Sequence, residues 1–268
     1  MIGQTHAKAL LRGLSIIPQF IIVSGPTGSG KSLFIQELCK TRLNCEPIEI
    51  SSIDDVRGIC EAAVDLQAPT AYVLSTFDTV NFRTKEAILK LCEETPKYVY
   101  IFIETVSSSS LKQTLLSRAF LFNLEPYSTE ELKRYCLTLE NATETEIENI
   151  INVFNTPGNI KRAQQLGSQT FLSFCNKVAN FIGTAPLGNA LKISSSLKLK
   201  NDSPGYDLDL FFNAVSYYAL INRDQIGLDT AYNIIKASSK ITQQLLQVNS
   251  LNKQMLFDSW LLSIRGIS

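Results

Sequence analysis

Histidine is nearly missing: of 268 residues only His6 carries an imidazole. Chemistry built on a histidine triad or a histidine-rich metal centre is therefore not expected. Net charge is missing as well, because 25 basic residues balance 25 acidic ones. A chain with no overall charge exerts no global pull on nucleic acid, so any DNA contact must be local or shared with partner chains. No apolar run approaches the roughly 20 residues that span a bilayer, and no membrane association is expected. The amino-terminal MIGQTHAKAL lacks a basic stretch followed by a long apolar one, so no secretory leader is expected. The six cysteines (Cys39, Cys45, Cys60, Cys92, Cys136, Cys175) include no Cys-x-x-Cys pair. Scattered thiols suit a reducing cytoplasm and argue against a zinc site.

What is present is an ordinary globular composition, 45% hydrophobic and 19% charged, on a chain long enough for two or three small domains. Residues 1–125 alternate between helical and strand patterns. The runs Phe20–Val23, Pro47–Ile50, Ala71–Leu74, Val99–Ile103 and Ala119–Leu124 read as strands. The stretches around His6–Leu14, Ser32–Cys39, Ile53–Val64, Thr84–Glu94 and Leu111–Leu116 read as helices. Such alternation predicts an α/β fold, a parallel sheet covered on both faces. The pattern changes at Glu125-Pro-Tyr-Ser128, beyond which no strand signal occurs. Ser128 or Thr129 opens a helix, Glu144–Phe154 is a second, Asn155–Gly158 is a turn, and Asn159–Leu166 is a third helix. Residues from about 170 onward are helical again, with Ser194–Gly205 a polar loop. Leu208–Leu220 is apolar on nearly every side and is predicted to pack deeply, and Asp229–Val248 and Leu251–Ile264 close the chain.

One motif carries strong chemistry. Gly25-Pro26-Thr27-Gly28-Ser29-Gly30-Lys31-Ser32 fits G-x-x-x-x-G-K-[ST], with a strand leading in and a helix leading out. Glycines let the backbone turn tightly and bring amides to phosphate oxygens, and the following helix adds its free N–H groups and the positive end of its dipole. Lys31 reaches the β- and γ-phosphates, and the Ser32 hydroxyl is the candidate ligand of Mg2+. ATP with Mg2+ is the expected ligand.

Further segments give this loop a family. Ile2-Gly-Gln-Thr-His-Ala-Lys-Ala-Leu-Leu11, Glu49-Ile-Ser-Ser-Ile-Asp-Asp-Val-Arg57, Glu86-Ala-Ile-Leu-Lys-Leu-Cys-Glu-Glu-Thr-Pro96, Leu111-Lys-Gln-Thr-Leu-Leu-Ser-Arg-Ala119 and Gly158-Asn-Ile-Lys-Arg-Ala163 occur in that order. Together they resemble the AAA+ clamp-loader ATPases of the bacterial DNA polymerase III tau/gamma, delta-prime and RFC kind. The resemblance covers residues 2–168 and is only architectural beyond. It implies a RecA-like nucleotide-binding domain (1–125), a helical lid (126–168) and an all-α collar that oligomerises (169–268). It also implies a cytoplasmic, pentameric ring assembled with other clamp-loader subunits, acting on a sliding clamp and primed DNA, in a bacterium or in the host of a phage. By the same resemblance Arg118 matches the arginine presented to a neighbour's ATP. Lys161 stands where the family has its sensor 2 arginine, and Ser107 is the match to sensor 1.

Departures from the family matter as much. Where it writes an apolar strand ending in Asp-Glu-x-Asp, this chain reads Ser75-Thr76-Phe77-Asp78. Serine and threonine carry no charge to a metal-bound water and cannot act as a general base. Nucleotide binding with little hydrolysis is therefore expected, as at a delta-prime-like ring position. Only Met1 precedes Ile2, where the family carries more residues that hold the base, so weaker adenine affinity is expected. The zinc module of several bacterial members is missing. Two rival readings stand: an active AAA+ ATPase such as a helicase loader with its acid supplied from elsewhere, and a ring subunit that has lost nucleotide binding. Blander features are Glu93-Glu94, read as a solvated helix end, Ser107–Ser110 as a polar turn, and Lys192, Lys198 and Lys200 as a solvated loop. Phe211, Phe212, Tyr217 and Tyr218 are spaced as helix core rather than as a base-stacking platform.

Overall fold

The computed structural model describes residues 2–75, 77–139, 143–185, 207–247 and 253–265. Thr76, the loop lysines Lys192, Lys198 and Lys200, and the expected 194–205 loop lie outside the described residues. By compactness the chain divides into two units, Met1–Tyr135 with Thr156–Gly158, and Cys136–Asn155 with Asn159–Ser268.

The first unit is built on β1 (Phe20–Ser24), β2 (Ile48–Glu49), β3 (Thr70–Leu74), β4 (Val99–Thr105) and β5 (Phe120–Asn123). These form one sheet in the order β2-β3-β4-β1-β5, and every pairing is parallel. Between them run α1 (Thr5–Gly13), α2 (Lys31–Leu38), α3 (Ile53–Ala62), α4 (Phe82–Glu93) and α5 (Gln113–Leu116). All five residues of β1 are buried, as a central strand covered on both faces requires. The two-residue period of a strand sorts β4 onto two cores. Ile101 and Ile103 join Ile22, Leu74, Val56, Ile59 and Ile88 on the side of α3 and α4. Phe102 joins Ile21, Val23, Phe34, Ile35 and Leu38 on the side of α2.

Local chemistry explains the element ends. Ser52 accepts from the Asp55 amide at 3.1 Å while Asp55 Oδ2 accepts from the Ser52 amide at 2.8 Å, a reciprocal cap that starts α3. Hydrogen bonds to the Asp55 carboxyl from the Ser51 amide, the Ser52 amide and the Ser52 side chain hold it below the usual carboxylate range. The structure differs from the sequence reading at two ends that matter below. β4 runs two residues past Ile103, to Thr105. The helix α8 (Pro157–Gln165) begins inside the expected turn, because a proline at the first helical position loses only an N–H that has no partner there.

Helix α6 (Thr129–Leu137) begins in the first unit. The second unit holds α7 (Glu144–Val153), α9 (Ser168–Thr184), α10 (Leu208–Ile221), α11 (Arg223–Ile226), α12 (Leu228–Gln247) and α13 (Lys253–Ile264). Phe211 and Phe212 of α10 are buried, as the sequence predicts, with Tyr217 and Tyr218 half-buried. The last turn of α10 departs from the deep packing expected, since Leu220 and Ile221 are exposed. Trp260 is the centre of an aromatic cluster, its ring 5.2 Å from Phe212 and 5.1 Å from Phe257, and its Nε1 donates to Ser238 Oγ at 2.9 Å. No described helix is long and apolar enough to cross a membrane.

Candidate functional site

The sheet delivers its chemistry at the carboxyl end of β1, where the glycine-rich loop begins. The Gly25 amide donates to Thr105 O at 3.1 Å, so the β1–β4 ladder continues into the loop. Ser29 N–H closes a turn onto Pro26 O at 3.1 Å. Gly28 at φ 78° and Gly30 at φ 92° take the left-handed backbone that a side chain would resist. Gly30 thereby serves as the cap residue of α2, which starts at Lys31. The first amides of a helix have no partner within it, so those at Lys31, Ser32 and Leu33 are oriented as an anion cradle. Lys31 Nζ donates to Gly25 O at 2.8 Å and Pro26 O at 3.1 Å. Burial lowers the Lys31 pKa, and the Glu104 and Asp78 carboxylates push it back up.

The loop is braced from outside. Tyr127 Oη donates to Ser29 O at 2.7 Å, and Thr156 Oγ1 donates to Thr27 O at 3.0 Å. The Gly158 amide donates to Gly28 O at 2.9 Å. The approach there is so close that a Cβ on Gly158 would lie 2.6 Å from Gly28 Cα. Ser29 is fully buried and its Oγ has no hydrogen-bond partner. Near the amino terminus, Gln4 clamps Glu125 by accepting from its amide and donating to its carbonyl, both at 2.8 Å. Ile2 and Gly3 line a cavity of about 460 Å³ together with Thr5, Lys8, Arg12, Glu131 and Arg134.

Ser75 is in the turn after β3. Asp78 spends both oxygens structurally: Oδ1 accepts from Thr105 Oγ1 at 2.8 Å and Oδ2 from the Val106 amide at 2.9 Å. Beside the loop the structure puts a residue that the sequence reading passed over. Glu104 pairs with Val23 in the β4–β1 register and is only 5% exposed. Burial pushes its carboxyl up, while a hydrogen bond from Ser32 and the Lys31 ammonium hold it down. Its Oε1 is buried with no partner. The signal for finding it was the extension of β4: a strand continued by two residues turns Glu104 to the α2 side with Phe102 and Thr105 to the other.

Ser107 is exposed, with its Oγ 2.8 Å from Ser109 Oγ and accepting from the Ser109 amide, so it caps the one-turn helix Ser108–Ser110. The buried polar side chains at the end of β4 are Glu104 and Thr105. Arg118 is part-exposed, with Nη2 3.0 Å from Glu93 Oε1 and Nη1 donating to Thr114 O at 2.9 Å. Glu93 is thus an ion-pair partner rather than half of a carboxylate pair. Lys161 is exposed on α8.

A five-stranded parallel sheet in this order, with a glycine loop and helix after its second-from-edge strand, defines a RecA-like α/β fold of the AAA+ kind. No protein-family model matches the chain. The DNA polymerase III subunit tau of Escherichia coli strain K12 is 26% identical over 168 residues, covering 50% of this chain and 26% of that protein. The tau subunit of Salmonella typhimurium matches with the same identity and coverage. The chain therefore spans about a quarter of the length of the curated relatives it matches. Among solved structures, a DNA polymerase III gamma subunit-related protein of Thermotoga maritima superposes with a TM-score of 0.54 at 15% identity, covering 98% of this chain and 99% of that one. The RuvB Holliday junction branch migration motor of Thermotoga maritima superposes with a TM-score of 0.50 at 17% identity, over 73% of this chain and 82% of that one. The chain is thus similar over half its length to DNA polymerase III tau subunits and shares the fold of the gamma subunit-related protein.

Proposed function

We propose that this chain is an ATP-binding subunit of a DNA polymerase sliding-clamp loader, one that holds Mg–ATP and hydrolyses little of it alone. The observation that carries the reading is the loop itself, with left-handed Gly28 and Gly30, α2 opening at Lys31, and Lys31 Nζ bent onto the loop. The tau match and the full-length superposition on a gamma-related protein support the assignment to a clamp loader. In this reading residues 1–125 are the nucleotide domain, 126–168 a lid bearing Lys161, and 169–268 a collar by which subunits join a five-membered ring. Exposed Leu220, Ile221, Leu228 and Tyr232 support an assembly role for the last of these. Partner subunits, a sliding clamp and primed DNA are its proposed partners in the cytoplasm.

Slow turnover follows from the chemistry at the end of β3. Ser75 cannot polarise water, and both oxygens of Asp78 are already engaged. Titration of a fluorescent ATP analogue with Mg2+, alongside phosphate release, tests the reading. Wild type is expected to bind and Lys31→Ala to lose binding, with negligible turnover in both. Steady turnover by the pure protein would instead favour an active AAA+ motor, and no binding by wild type would leave a structural ring member.

Arg118 is the proposed finger for a neighbour's site. Its bridge to Glu93 is part-exposed, and such pairs contribute only about 0–1 kcal/mol, so the guanidinium is readily released. In a reconstituted ring, Arg118→Ala is expected to slow phosphate release at the adjacent site by on the order of 10³-fold. Unchanged release would remove the role.

A further inference from the structure

We propose that Glu104 supplies the carboxylate that, with the Ser32 hydroxyl, holds the divalent cation of a bound nucleotide, so that the metal-binding acid comes from β4 and not from the end of β3. The inference rests on the nucleotide-binding reading and deepens it. Three independent placements carry it.

The first is register. β4 lies next to β1, and Glu104 stands opposite Val23, two residues before the loop begins at Gly25. Strand alternation puts its side chain on the face covered by α2, as it does for Phe102. That face leads to the first turn of α2, where Lys31 and Ser32 sit. Ser32 and Lys31 are the neighbours that hold the Glu104 carboxyl down against the effect of its burial.

The second is an unmet bonding demand. Glu104 is 5% exposed, and its Oε1 is screened from water with no donor in reach. A buried carboxylate oxygen without a partner is costly and calls for an explanation. Lys31 does not supply one: the hydrogen bonds of its ammonium run to Gly25 O and Pro26 O. A cation at Ser32 would meet the demand directly or through one of its waters.

The third is that the competing acid is spent. Asp78 gives one oxygen to Thr105 and the other to Val106, which commits both to fixing the turn after β4. Among the described residues no group of three or more His, Cys, Asp or Glu side chains gathers. A magnesium site needs no such group, since it typically takes one or two protein carboxylates and completes its shell with phosphates and water. Glu104 in this position holds metal and does not stand in for a water-polarising base, so the expectation of slow hydrolysis is unchanged.

The test is titration of a fluorescent ADP analogue into wild type and Glu104→Gln, each in Mg2+ and in EDTA. Electron paramagnetic resonance of Mn2+ added with ADP is the second readout. Glutamine keeps the shape of glutamate, and circular dichroism checks the fold. Wild type is expected to bind more tightly with Mg2+, and Glu104→Gln to lose that gain, roughly 10–100-fold, while keeping its EDTA affinity. The variant should also lose the immobilised Mn2+ signal. A variant weakened equally with and without Mg2+ would show Glu104 acting only through Lys31, and would overturn the assignment. So would an unchanged Mg2+ gain, or wild-type binding indifferent to Mg2+, with nucleotide binding itself intact in each case. No nucleotide binding by wild type in either buffer would remove both the assignment and the reading on which it rests.

Discussion

Gly158→Ala is expected to lower the stability of the first unit by about 1–3 kcal/mol and to weaken nucleotide binding along with it. The added methyl would lie 2.6 Å from Gly28 Cα, 2.9 Å from Gly28 O and 3.1 Å from its carbonyl carbon. Those are backbone atoms, so no side chain can swing away to make room. Relief requires the start of α8 and the loop to separate, which stretches the Gly158 N–H bond to Gly28 O and the neighbouring Thr156 bond to Thr27 O. Gly28 already occupies the left-handed region, and the loop's amides are useful only in that arrangement. Chemical unfolding and a nucleotide titration of the same variant measure the two effects. Gly167→Ala is the comparison for a glycine with open space: its added methyl meets nothing, and its only strain is the positive φ of 76°. A Gly158→Ala protein with wild-type stability and affinity would show that the close contact is not maintained in solution.

Trp260→Ala carries the largest expected cost in the second unit, roughly 3–5 kcal/mol. Trp260 is completely buried, and truncation would open a cavity lined by Phe211, Phe212 and Phe257. It would also leave the buried Ser238 hydroxyl without the indole donor. Trp260→Phe separates the two effects. It retains most of the ring packing and should cost about 1–3 kcal/mol through the lost hydrogen bond and unmet polar group. Denaturant unfolding followed by far-UV circular dichroism ranks the variants. If Trp260→Ala were no worse than Trp260→Phe, the aromatic cluster would not be the main source of stability there.

The sequence made the loop and its strand legible because their signals are local. Three glycines, a lysine and a hydroxyl at fixed spacing, after an apolar β-branched run, state both the backbone path and the chemistry. The helical core around Phe211 and Phe212 was legible for a similar reason, since a run that is apolar on all sides has nowhere to go but inward. Glu104 was not legible, because its meaning lies in pairing. An acid just past Ile103 reads as the end of a strand, and only the register against Val23 turns it into a buried group beside Lys31 and Ser32. Gly158 was hidden by punctuation. Thr156-Pro-Gly has the composition of a turn, yet the proline is the first residue of α8 and the glycine is where two backbones meet. The use of Asp78 as a clamp on Thr105 and Val106 was not legible either, because it is a long-range contact no spacing announces.

The shortness of β2 has a consequence for how the protein behaves at high concentration. β2 has two residues, Ile48 and Glu49, both exposed, and it is hydrogen-bonded to β3 alone. An open sheet edge invites another chain to add a strand, and that is the first step of edge-to-edge aggregation. An edge this brief, ending in an acid, offers too few backbone groups to template one. On that side, two copies can meet through side chains but have almost no ladder to share, which favours reversible contacts over irreversible β-sheet growth.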